Sequence, residues 1–187
     1  EVARHLNIFG EALARYRAAW GDVFAIIPTV PAIRAFVEEG VSGWPEPPII
    51  VSTPLEKYQS MKASNLALAA SGTVALETAL AELPTVIAYR ISPLTAFIVR
   101  RLIKVDYVNI INVLAEKEIV PECLQEKCSP DVLADILGEL STGSGQSQIQ
   151  QVRPYLRQLA SSEGRPSEVA AQYIIKVSTP ETPVDLP

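Results

Sequence analysis

The chain is poor in the residues that most enzyme chemistry uses. It has one His, His5, two Cys, Cys123 and Cys128, and one Met among 187 residues, and aromatics make up only 6%. A zinc site built from nitrogen and sulfur ligands would run short of groups. A Ser-His-Asp or Cys-His machine would have to recruit the fifth residue. Basic residues are also few, with 16 Lys+Arg against 21 Asp+Glu for a net charge of −5, which argues against a chain-wide grip on nucleic acid. No apolar run reaches the roughly 18 residues a membrane span needs, and the first residues lack a signal peptide's basic and apolar regions. Two Cys in such a setting point to a reducing, cytoplasmic compartment. The chain starts at Glu1 and its one Met is Met61, so we expect a processed product or a piece of something longer.

What the chain does have is aliphatic residues, 48% apolar against 20% charged, the profile of a globular α/β protein. Residues 1–20 predict an amphipathic helix, with Val2, Leu6, Phe9, Leu13, Tyr16 and Trp20 as its apolar stripe. Short apolar runs at 23–27, 49–51, 65–70 and 85–89 suit strands buried on both faces. Helices are expected at 31–39, 55–62, 73–83, 93–103 and 130–140. Between 107 and 125 the reading is an extended piece at 107–110, a short polar stretch at 112–118, and a helical turn or two at 121–125. Strands alternating with helices demand crossovers, hence a Rossmann-like parallel sheet with helices on both faces. The order opens on a helix, so the first strand of the pattern is missing. Residues 1–140 read as one α/β domain, 141–148 (STGSGQSQ) as a linker, 149–176 as C-terminal helices and 177–187 as a disordered tail.

Ligands of open parallel sheets sit beyond the carboxyl ends of the strands. The turn after the 65–70 strand, Ser71-Gly72-Thr73, enters a helix at once. Gly72 permits a tight turn and close approach, Ser71 and Thr73 are cap residues, and a helix start favours an anion such as a diphosphate. Glu77, four residues after Thr73, shares its face, and a carboxylate there suits a vicinal diol such as a ribose. The alternative is an ordinary capped helix with a solvated Glu. Cys123 and Cys128 read as structural, His5 as an exposed helix residue, and Asn109 and Asn112 as turn formers. Arg90, Arg100, Arg101 and Lys104 form a basic cluster among aliphatic residues, which suits either a packed helix with solvated heads or attraction to diphosphate or an anionic membrane surface.

The SGT-x-x-LE turn, the PTVIAYR strand, the RRLIK helix, the DYVNI-x-N-x-L turn and the E-x-VPE-x-LQ run follow one another over about 55 residues. In that order they resemble the C-terminal domain of the lipid-A-disaccharide synthase family. The resemblance extends more weakly over most of the chain. It implies the donor half of a two-domain GT-B glycosyltransferase, joining UDP-2,3-diacylglucosamine to 2,3-diacylglucosamine 1-phosphate (lipid X) with release of UDP. It further implies that Ser71, Gly72 and Thr73 receive the diphosphate and that Glu77 grips the ribose. Tyr89 and Arg90 would lie at the nucleotide edge, Glu118 and Gln125 near the donor sugar, and Asn112 would be catalytic. No metal or other cofactor is implied. Contact with the cytoplasmic face of the inner membrane follows from the acylated substrates, and the family's exchange of C-terminal helices allows a homodimer. The alternatives are a UDP-sugar epimerase-like protein and a non-catalytic nucleotide-binding module.

Overall fold

The computed structural model describes residues 2–70, 72–92, 107–160 and 164–178. Ser71, the 93–103 helix, Arg100, Arg101, Lys104 and the tail beyond 178 lie outside the described residues.

The described strands are β1 (Ile26–Pro28), β2 (Ile49–Val51), β3 (Ala67–Ala69), β4 (Thr85–Tyr89) and β5 (Glu122–Leu124). All their pairings are parallel, in two groups, β1-β2 and β3-β4-β5. The helices are α1 (Val2–Trp20), α2 (Arg34–Gly40), α3 (Pro54–Ala63), α4 (Val74–Leu80), α5 (Ile110–Ala115), α6 (Pro130–Glu139), α7 (Gly145–Leu159) and α8 (Pro166–Ser178). The architecture is the α/β, Rossmann-like one that the alternation of elements predicts.

β4 shows why an unbroken apolar run was needed. Val86 and Ala88 face a cluster with Ile8, Ala12 and Tyr16 of α1 and Leu133 and Leu137 of α6. Ile87, one residue out of phase, faces Ala75 of α4, Ile111 of α5 and Val152 of α7. All three strand residues have no exposed surface. Successive side chains of a strand point to opposite faces, so a strand covered on both cannot alternate with polar residues. A third cluster joins Leu6 of α1 to Val37 and Val41, against Ile27 and Ile50 of β1 and β2. α1 therefore packs over both strand groups.

Several sequence-based expectations shift. α1 buries His5, Leu6, Ile8, Ala12 and Tyr16, while Val2 and Trp20 at its ends are 37% and 42% exposed. The buried face is broader than one stripe because the helix touches two clusters. His5 is 5% exposed, not a surface residue. Residues 121–125 hold strand β5 rather than helical turns, and a helix runs over Ile110–Ala115, from the last residue of the expected extended piece into the stretch read as short and polar. The 141–148 segment is not an extended linker. α6 and α7 meet across a kink at Gly143 (φ 144°, ψ −29°), and α7 has begun by Gly145.

Candidate functional site

Three parallel strands side by side bring three turns to one edge. Beyond β3 lie Gly72 and Thr73, beyond β4 comes Arg90, and beyond β5 comes Gln125; the pairings Ala69 with Ile87 and Tyr89 with Leu124 set these turns next to one another. Gly72 has φ +132°, which side chains with a Cβ rarely adopt, and a Cβ built there meets no atom within 4 Å. The turn thus requires Gly and offers open backbone to an approaching group. Thr73 takes helical angles (φ −63°, ψ −23°), and its hydroxyl makes no cap bond. It is the first residue of the helix geometrically rather than the cap the sequence suggested. Glu77 follows in the first turns of α4.

Glu77 is not solitary. Lys57 of α3 donates to both its oxygens, at 2.9 and 3.0 Å. The ammonium is held protonated above its ordinary range, chiefly by this hydrogen bond. Lys57 reaches Glu77 because α3 also starts at the carboxyl edge, after β2. Thr53 and Glu56 close a reciprocal capping box there, each side chain taking the other's backbone N–H, with Pro54 next to the cap. Sequence reasoning missed Lys57; the Thr-x-x-Glu pattern would have fixed the helix start, but no local pattern reveals a contact across 20 residues.

The β4 end is tied down by α1. The Arg90 N–H donates to His5 Nε2 at 3.0 Å, so that nitrogen carries no proton, and Arg4 Nη1 donates to the Arg90 carbonyl at 3.2 Å. The His5 ring stacks on Tyr89 at 5.4 Å between centroids. The one histidine is thus part of the scaffold of this edge. Gln125 has φ +53°, uncommon for a residue with a side chain, and turns the chain sharply at the end of β5.

Two of the expected site residues stand elsewhere. Asn112 lies in α5 with no exposed surface. Its Oδ1 accepts from the N–H groups of Ile119 and Val120, and its Nδ2 donates to the Val120 carbonyl and to Glu122 Oε1. Those four bonds use the full capacity of a carboxamide and tie α5 to the start of β5. Glu118 precedes β5 and accepts the Glu122 N–H at 3.0 Å, at the amino end of that strand rather than its carboxyl end. Glu122, 8% exposed, also takes the N–H groups of Val108 and Asn109. It is the hub of this network, and no local pattern in the sequence points to it.

The edge is open at Gly72. Two concavities among the described residues lie elsewhere, one between α4 and α7 and one between α1 and Trp44. Among the described residues, no three His, Cys, Asp or Glu side chains gather as a metal site would need. Cys123 and Cys128 are free and buried, and burial raises both thiols, Cys123 to about 11, which disfavours the thiolate form of each.

The family model described as lipid-A-disaccharide synthetase matches residues 1–175. Among curated relatives, the lipid-A-disaccharide synthase of Rhodospirillum centenum is 41% identical over 96% of this chain and 45% of its own length. That of Bradyrhizobium diazoefficiens is 38% identical over 94% of this chain and 45% of its own, and that of Paramagnetospirillum magneticum 37% over 94% and 46%. The chain thus spans about half the length of the relatives it matches. With the parallel sheet and the glycine turn at its carboxyl edge, these matches identify the chain as a member of the lipid-A-disaccharide synthetase family.

Proposed function

We propose that this chain is the donor-nucleotide half of a glycosyltransferase that moves 2,3-diacylglucosamine from its UDP ester to lipid X and releases UDP. The observation that carries the reading is the convergence of Gly72, Thr73, Glu77, Tyr89, Arg90 and Gln125 on one edge of a parallel sheet, where such sheets take their ligands. The open backbone at Gly72 suits the diphosphate, and the hydroxyl of Ser71, its neighbour in sequence, suits the same ligand. The Glu77 carboxylate suits the ribose diol. Tyr89 and Arg90 suit the nucleotide and its charge, and Gln125 the donor sugar.

In the reaction the acceptor's 6-hydroxyl attacks the anomeric carbon, the bond to the β-phosphate oxygen breaks, and UDP leaves with the electron pair. The residues of this half hold the leaving group and stabilise the charge it gains, through backbone N–H groups at the glycine turn and the Arg90 guanidinium. Asn112, fully used within the fold, contributes by fixing the start of β5. The acylated substrates make a membrane surface on the cytoplasmic side the natural place of work, and no described helix is long and apolar enough to cross a membrane.

UDP titrated into the 187-residue chain tests this, by calorimetry and thermal shift. UDP is expected to bind and raise the melting temperature, and Glu77→Ala to weaken binding by roughly tenfold or more. UDP that leaves the chain unchanged, or binds Glu77→Ala equally well, would overturn the reading.

A further inference from the structure

Lys57 belongs to no part of the reading so far, and it forms the least exposed ion pair described. The Lys57 and Glu77 side chains are 30% and 26% exposed, whereas in every other described ion pair both are at least 41% exposed. Both residues stand early in helices that start at the carboxyl edge. Nζ spans both carboxylate oxygens and lies 5.1 Å from the Tyr58 ring centroid, so the ammonium is held from two sides.

An ionised carboxylate offers about four lone-pair directions. One ammonium that bonds both oxygens takes one from each and leaves one on each. The two that remain point outward on opposite sides of the carboxylate, and one of them, held in a fixed direction, can accept a single ribose hydroxyl. An unrestrained Glu side chain would have to lose its rotamer freedom on binding, at some cost in affinity. A Glu already pinned in place does not.

We propose that Lys57 is a positioning residue for donor recognition: it locks the Glu77 carboxylate in the orientation in which one oxygen accepts the ribose 2′-hydroxyl, and so sets selectivity for ribonucleotides. This rests on the donor-site reading above and adds a residue and a selectivity to it. A second effect belongs to the same geometry, since the ammonium offsets the repulsion between Glu77 and a nearby diphosphate.

The test compares UDP with 2′-deoxy-UDP on the wild-type chain and on Lys57→Met, Lys57→Gln and Lys57→Arg, with melting temperatures measured alongside. The wild type is expected to prefer UDP by about tenfold. Lys57→Met and Lys57→Gln should bind both ligands about equally, with melting temperatures close to wild type, and Lys57→Arg, whose guanidinium also pairs with a carboxylate, should restore the preference. Because a purely structural role would weaken both ligands alike, a preference that survives in the Met and Gln variants overturns the proposal while leaving UDP binding intact. A wild type that binds both ligands equally overturns it as well. A wild type that binds neither overturns the donor-site reading and this proposal together.

Discussion

At the scale of single residues, the buried polar groups divide the candidate site into parts that face outward and parts that hold the fold. Asn112 sits between α5 and β5 and satisfies two N–H groups and a carbonyl that no other described bond serves, while also supporting the Glu122 carboxylate. Removing such a partner leaves several buried groups unpaired, each at about 1–3 kcal/mol. Asn112→Ala is therefore expected to destabilise the chain by roughly 3 kcal/mol in urea unfolding, while UDP affinity of the remaining folded protein stays within about twofold. An unchanged unfolding midpoint with lost UDP binding would return Asn112 to the site. The resemblance could single out this residue because motifs mark positions that matter; it could not say that the side chain points inward. His5 is the reverse case. Its position beside Leu6 looked like a helix surface, and only the third dimension brings Arg90 and Tyr89, more than 80 residues away, against it.

At the scale of elements, legibility follows the strength of the local signal. β4 falls where the apolar run puts it, since burial on both faces leaves few options for sequence; β2 falls in place as well, although Ile49 is exposed. β5 escaped because it has three residues and begins with Glu122, whose carboxylate is made tolerable by three hydrogen bonds, from the Val108 and Asn109 N–H groups and from Asn112 Nδ2. The Ser/Gly/Gln stretch misled for a different reason. Its composition is that of a flexible linker, yet its glycines serve a tight connection: Gly143 takes φ +144°, and a Cβ on Gly145 would lie 2.6 Å from the Leu140 carbonyl oxygen. Just beyond, Gln148 accepts the Thr85 N–H at 2.7 Å and donates to the Thr85 carbonyl at 2.9 Å, pinning α7 to the first residue of β4. Gly145→Ala should therefore cost about 1–3 kcal/mol of stability, and a loss well below that in thermal or denaturant unfolding would mean that the connection is loose after all.

At the scale of the whole molecule, the two strand groups have the order of a doubly wound sheet with one member absent. Written together, β2-β1 and β3-β4-β5 become the order 3-2-1-4-5-6 when one parallel strand stands between β1 and β3. The packing agrees, because Val23, just ahead of β1, Leu66, just ahead of β3, and Leu68 of β3 meet the same cluster under α1. The hydrogen-bond alternation of parallel strands says which amides such a strand would meet. The Thr29 N–H donates to Val51 and the Ile49 N–H to Ala25, so Ile27 faces β2 and the Ile26 amide points the other way. The Ala67 N–H donates to Pro84, so the Leu68 amide likewise points away from β4. In a longer version of this chain that supplies one more strand, we expect hydrogen exchange at Ile26 and Leu68 to slow by roughly tenfold or more relative to the 187-residue chain. The amides of β4, already paired on both sides, should change little by comparison. Equal exchange at Ile26 and Leu68 in the two chains would mean that β1 and β3 are true edges and that the donor shelf belongs to a split sheet. Slowing confined to these two positions would place the added strand beside the Gly72 turn, at the switch point where a doubly wound sheet receives its nucleotide.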